Sequence, residues 1–324
     1  MYQNEPNEIE FVRNTILVNQ FYKIVTLCGD ECPIVPLKGM SLLFSIYKDN
    51  YARNVADIDF LVTEENVPNI VEKLESIGYH FRKNHEKLNV RLSTKHKFDM
   101  INLDNRFCDL DIHINLINKK WFKLSTGDFN SFALSRIKTI EYKNLNINIL
   151  SEIDEWLYLA QHYCFHLFSN DKWFKDLYLI QKKFSNADII ELTTTAHHFH
   201  FERIVTAVSR RLKDNYQQDE IKIPEMLTKK RLIFDSISSK NLKYAHKFSN
   251  RIIAIYWEFI FIHSCKSRIS AYLHLLFPRM CILMDIYNCK PMTSLLLYPL
   301  HIILVLLSSI LFICIYLSSV YSIF

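Results

Sequence analysis

From Glu8 to about Leu27 the apolar positions Ile9, Val12, Ile16, Phe21, Ile24 and Val25 recur at helical spacing and predict an amphipathic opening helix. The apolar run Pro33–Leu37, with its two prolines, reads as a short strand that ends at Lys38-Gly39, after which Met40 to Tyr47 resumes helical periodicity. Asp57-Ile-Asp-Phe-Leu-Val62 alternates acidic and apolar residues before turning wholly apolar, the pattern of a strand with one end facing a cleft. Asn66 to Gly78 predicts a helix with an acidic start and a glycine stop. Leu88–Leu92 and Asp109–Leu116 read as strands of the same sheet, and Ile137–Leu150 as a hairpin with a polar turn. Helices and strands therefore alternate up to residue 150, which predicts an α/β (α+β) domain.

The pattern changes at Ser151, where Ser-Glu-Ile-Asp-Glu starts like a capped helix. Helical periodicity then dominates to about Asn288, interrupted at Pro224 and Pro278. Residues 291–324 contain no Lys, Arg, Asp or Glu, and Ile302–Tyr321 supplies 20 consecutive uncharged residues, the length that spans roughly 30 Å of hydrocarbon. Lys266, Arg268, Arg279 and Lys290 lie just upstream, on the side expected to stay cytoplasmic. The predicted organisation is an α/β domain over 1–150, an all-α domain over 151–290 and an apolar C-terminal helix over 291–324. That helix is expected to anchor a cytoplasmic catalytic part to the inner membrane. A buried C-terminal helix of the second domain is the alternative.

Composition narrows the function. Only 4 glycines occur, Gly29, Gly39, Gly78 and Gly127, and their scatter excludes both G-x-G-x-x-G and G-x-x-x-x-G-K phosphate loops. Eight cysteines without a C-x-x-C pair exclude zinc ribbons and thioredoxin-type chemistry, and reduced thiols are the simplest account. The net charge of +5 includes only short basic clusters, Arg210-Arg211 and Lys229-Lys230-Arg231, so no nucleic-acid track is expected.

The acidic residues carry the chemical signal. Asp57-Ile-Asp59 and Asp109-Leu-Asp111 both sit in predicted strands, where residues two apart point to the same side, so each pair projects two carboxylates onto one face. Burying them there is costly without a cation. Carboxylates converging from neighbouring strands suit Mg²⁺, and two ions about 4 Å apart clamp the attacking and leaving oxygens of an in-line displacement. Asp109 shares a face with Asp111 but is placed at the rim.

The order of these features resembles the DNA polymerase β-like nucleotidyltransferase superfamily, and more closely its uncharacterised bacterial nucleotidyltransferase-like branch. The residues that carry the resemblance are Leu37-Lys38-Gly39 at a strand end, Tyr47 and Arg53 before the acidic pair, Asp57-Ile-Asp59-Phe-Leu-Val62, and Asp111-Ile-His113 on a later strand. Leu150-Ser-Glu opening a helix with His162 and His166, Trp173 to Asp176, and Phe277-Pro278 extend it. The superfamily's Gly-Ser pair appears here as Gly39-Met40-Ser41.

The resemblance implies a mixed sheet with flanking helices and transfer of a nucleotidyl group from an NTP to an unidentified acceptor. It implies two Mg²⁺ ions, with Mn²⁺ as an alternative, held by the catalytic residues Asp57, Asp59 and Asp111. It assigns Lys38, Gly39, Ser41 and Arg53 to the nucleotide. His113 is expected to orient a carboxylate or line the cleft, and His162 and His166 to line it or to pack within the second domain. The acceptor is a small molecule, a peptide or a protein. A catalytically silent nucleotide-binding scaffold with the same fold is the rival reading.

Overall fold

The computed structural model describes residues 8–29, 31–47, 53–81, 97–102, 108–117, 129–143, 145–166, 168, 170–216, 269, 272–273, 275–278, 280, 283 and 291–321. The first helix, α1 (Glu8–Cys28), forms where the periodicity predicts it, and the C-terminal part of the predicted apolar set, Phe21, Ile24 and Val25, packs on the core. Ile9, Val12 and Ile16 are exposed, whereas Leu17, Val18, Phe21 and Ile24 are buried together with Asn14 and Gln20. Buried amides are costly unless hydrogen-bonded, and both are. The Asn14 Nδ2 donates to the Arg53 carbonyl at 2.6 Å, and its Oδ1 accepts from the Val55 amide at 3.1 Å. Gln20 holds both backbone groups of Cys108, each at 2.9 Å. The helix therefore clamps the backbone just before the strands that carry Asp59 and Asp111.

Those strands belong to a five-stranded mixed sheet built from β1 (Val35–Pro36), β2 (Ile58–Leu61), β3 (Tyr79–Phe81), β4 (Lys97–Asn102) and β5 (Leu110–His113), in the order β1-β2-β5-β4-β3. Only the β2–β5 pair is parallel. Neither β3 nor β4 was expected from the sequence pattern, and the strand expected over Leu88–Leu92 lies outside the described residues. Alternation divides the sheet into two faces. Ile58, Phe60, Phe98, Met100, Leu110 and Ile112 join Leu17, Phe21 and Ile24 of α1 and Ile70 and Leu74 of α3 (Val67–Ser76) in one core. Each fully buried side chain of this kind contributes about 1.5–3 kcal/mol relative to exposure. The opposite face carries the polar residues of β2, β4 and β5.

After β1 the chain turns into α2 (Lys38–Leu42), continued by a π-helical turn over Leu43–Tyr47. A short α4 (Phe129–Leu134) precedes the expected hairpin, β6 (Lys138–Tyr142) and β7 (Leu145–Ile149), which forms its own two-stranded sheet. The chain divides into two compact units that part between Glu155 and Trp156, inside α5 (Glu152–Phe165).

The second unit continues with α6 (Asp171–Gln181), α7 (Asn186–His198) and α8 (Glu202–Tyr216). Ser185 and Asp188 cap the start of α7 reciprocally, satisfying two otherwise unpaired backbone amides. Aromatic packing joins these helices, with Tyr178 stacked on Tyr216 at 4.0 Å and Tyr163 against Phe174 at 5.7 Å between ring centroids.

A long helix, α9 (Pro291–Tyr321), spans the apolar C-terminal segment, but among the described residues no helix is long and apolar enough to cross a membrane. The crossing expected over 291–324 therefore finds no support among the described residues, and the inner side of α9 makes polar contacts with protein. Buried His301 meets the Leu275 carbonyl through Nε2 at 2.8 Å, the Tyr298 hydroxyl donates to the Pro278 carbonyl at 3.0 Å, and buried Ser294 reaches the Met280 sulfur at 2.8 Å. The helix is not simply buried either, because Met292, Leu296, Leu300, Ile303, Leu307 and Ile310 on its outer side are exposed.

Candidate functional site

The register of the sheet assembles the site. In the parallel β2–β5 pair Asp59 stands beside Asp111 and Leu61 beside His113, while β4 sets Asp99 beside Asp111 and Lys97 beside His113. Three carboxylates thus form one row across three adjacent strands, on the face turned away from the core. Asp59 and His113 are almost wholly buried, at 2% and 3% exposure. The Lys38 Nζ lies 2.5 Å from Asp59 Oδ1, the His113 Nε2 lies 3.2 Å from the same oxygen, and Lys97 forms an ion pair with Asp111.

Electrostatics follow from these contacts. Burial by itself would raise the pKa of Asp59, but the His113 hydrogen bond and the Lys38 ammonium outweigh it and hold the carboxyl below its usual range. Burial, with Lys38 beside it, keeps the imidazole of His113 below its ordinary value against the pull of Asp59. His113 is therefore neutral at pH 7 and donates its Nε2 proton to a carboxylate that can only accept. A pH dependence follows. His113 in the unfolded chain takes up a proton below about pH 6.5 while the folded one resists it, so stability falls as pH drops from 7 toward 5. Urea midpoints measured across that range should show a shallower fall for His113→Gln than for the unsubstituted protein.

Lys38 adopts a φ of 52°, the left-handed region that favours glycine. In that conformation its ammonium meets Asp59 while α2 begins. At Gly39 a Cβ would overlap the guanidinium of Arg53 and press on Val55 Cγ1 at 3.3 Å, so a side chain here has to displace the end of Arg53. Arg53 is itself buried against this glycine, its carbonyl held by Asn14.

The residues singled out in the sequence are thus distributed unevenly. Lys38, Asp59, Asp111 and His113 come together, with Gly39 and Arg53 packed against each other at the adjoining turn. Asp57 is exposed at the edge of β2, where its charge interacts with those of Asp59, Lys38, Asp111 and Lys97. Asp109 is exposed at the rim. Ser41 is buried and its hydroxyl donates to Glu155 Oε2 at 2.9 Å. His162 and His166 belong to the second unit, where their rings lie 4.4 and 4.9 Å from that of Trp173. Cys28, Cys32, Cys108 and Cys164 are free thiols, and burial pushes Cys28 up to about 11, which makes it unreactive.

Two kinds of contributor were missed. Asp99 and Lys97 sit in the stretch Lys97–Asn102, whose alternation of polar and apolar residues is itself a strand signal. Asn14 and Gln20 are polar positions on the buried face of α1, and that interruption was their only mark.

The donor set fits a divalent cation. Asp59, Asp111 and His113 each offer a ligand atom, all within 4.8 Å of one another, the only such group among the described residues. The Oδ1 of Asp111 is buried with no hydrogen-bond partner, an acceptor that a cation would satisfy. A family model described as uncharacterised nucleotidyltransferase matches residues 7–216, and the chain belongs to that family. No curated protein matches the chain.

Proposed function

We propose that this member of the uncharacterised nucleotidyltransferases moves a nucleotidyl group from an NTP to a hydroxyl or other acceptor, with pyrophosphate leaving. The observation that carries the reading is the in-register parallel pairing that sets Asp59 beside Asp111, with His113 bonded to Asp59. Divalent ions would supply charge neutralisation at the phosphates and activation of the acceptor oxygen. Asp57, Asp59 and Asp111 would hold them, and the imidazole nitrogen beside these oxygens suits Mn²⁺ as well as Mg²⁺. Asp111, with 15% of its side chain exposed, is more accessible than Asp59 and takes the proton of the acceptor in this reading. Lys38 and Arg53, on either side of Gly39, supply positive charge for phosphate oxygens. Ser41 joins them only by leaving Glu155.

The rival reading, a nucleotide-binding scaffold without turnover, draws on the close Lys38–Asp59 pair, which already neutralises one metal-binding carboxylate. The full-length chain incubated with each α-labelled NTP, Mg²⁺ or Mn²⁺ and a mixture of acceptors separates the two. Label transfer that requires the metal supports the enzyme, whereas metal-dependent binding with no transfer supports the scaffold.

Membrane association enters the proposal through the outer side of α9, which meets the lipid boundary without crossing it in this reading. Support comes from the exposed apolar stripe on that helix, the absence of charge in the last 34 residues and the preceding Lys266, Arg268, Arg279 and Lys290. The full chain should float with vesicles containing anionic lipid, and Leu296→Glu with Ile303→Glu should abolish flotation. Full recovery of the substituted chain with the vesicles would remove the idea.

A further inference from the structure

Two lysines share the polar face of the sheet, and they are not placed alike. Lys38 lies against Asp59 with 10% of its side chain exposed, whereas Lys97 is 35% exposed and reaches from β4 to Asp111 on the neighbouring strand. Register places Lys97 beside His113 and Asp99 beside Asp111, so Lys97 stands at one corner of the carboxylate row with Asp99 two residues along its own strand. Burial disfavours its charge, but Asp111, with Asp59 and Asp99, more than offsets burial and holds its pKa above the ordinary lysine value. Lys97 is therefore an ammonium throughout the neutral range.

On this face Asp57, Asp59, Asp99 and Asp111 meet Lys38 and Lys97, while His113 is neutral. The carboxylates outnumber the built-in cations, so this face attracts a divalent ion. A second ion would have to lie on Asp111, in the space where the Lys97 ammonium already sits, and two cations at that range repel each other.

We propose that Lys97 is the resident counter-ion of Asp111, filling the second cation position of the site in the nucleotide-free chain. On its own the chain then takes up a single divalent ion and accepts another only together with a triphosphate. When that triphosphate arrives, the partly exposed side chain of Lys97 lets the ammonium pass from Asp111 to a phosphate oxygen, so the positive charge stays in the site. This deepens the nucleotidyl-transfer reading and rests on it.

Counting Mn²⁺ bound to the full-length chain, from the paramagnetic signal of the free ion, tests the role of Lys97 directly. Without nucleotide, about one ion per chain is expected for the unsubstituted protein and for Lys97→Arg, and about two for Lys97→Met, which keeps the apolar stem and drops the charge. A non-hydrolysable NTP analogue should raise the unsubstituted protein to about two. Two ions on the unsubstituted chain without nucleotide would overturn the assignment whatever the Met variant does to folding. One ion on a folded Lys97→Met would overturn it as well. Either result leaves the metal-dependent reading standing, whereas uptake by none of the three proteins overturns both.

Discussion

Asp59→Asn should lower metal-dependent nucleotidyl transfer by about a thousandfold, the rate equivalent of losing several kcal/mol of charge stabilisation at the phosphates. Asp59 touches both an ammonium and the imidazole, with Lys38 at 2.5 Å and His113 at 3.2 Å on the same oxygen. The amide keeps the shape of the side chain but removes the charge that a cation needs. It also leaves the Lys38 ammonium buried without its counter-charge, a change that costs about 3 kcal/mol when a buried pair is broken on one side. Transfer is therefore to be measured at a temperature where both proteins are folded by circular dichroism. The double variant Lys38→Met with Asp59→Asn should regain part of the lost stability and none of the transfer. A folded Asp59→Asn protein that retains metal-dependent transfer would rule out the proposed site.

Gly39→Ala should reduce transfer by about a hundredfold, because displacement of a positioned group by about 1 Å is enough to cost that much. The new methyl group would occupy the place of the Arg53 guanidinium and crowd Val55, and Arg53 is buried with its backbone held by Asn14, so little room remains for retreat. Overpacking of this kind also destabilises by about 1–3 kcal/mol. Steady-state assays should place most of the loss in KM for the NTP, since the residues that move are those assigned to phosphate. A loss confined to kcat would assign Gly39 and Arg53 to the reacting atoms and not to nucleotide binding.

What could be read from the sequence was local in origin. Asp57, Asp59 and Asp111 were legible because strand alternation fixes which side chains share a face, whatever surrounds the strand. Asp99 obeys the same rule, yet its place beside Asp111 depends on which strands become neighbours, and β4 inserts between β5 and β3 through pairings that the local pattern does not encode. The inward face of α1 was legible at Phe21, Ile24 and Val25 but not in its first half, for a similar reason. Asn14 and Gln20 are buried because of hydrogen bonds to Arg53 and Cys108, 39 and 88 positions away. Without those partners the exposed Ile9, Val12 and Ile16 are the better core candidates. At the C-terminus hydropathy reported length and apolarity, but not that Ser294 and His301 face Met280 and Leu275.

The parallel pairing of β2 with β5 also has a bearing on how the sheet comes together. The Lys97–Asp111 contact closes a separation of 14 residues, whereas the Asp59–His113 contact closes one of 54. Loop entropy makes the longer closure costlier by roughly 1 kcal/mol. The antiparallel β4–β5 ribbon is therefore the cheaper first step, and it delivers Asp111 already neutralised to the arriving β2. Asp59 brings Lys38 from the turn just beyond β1, so neither carboxylate has to approach the other bare. The two lysines thus give the acidic row internal counter-charge as the strands meet.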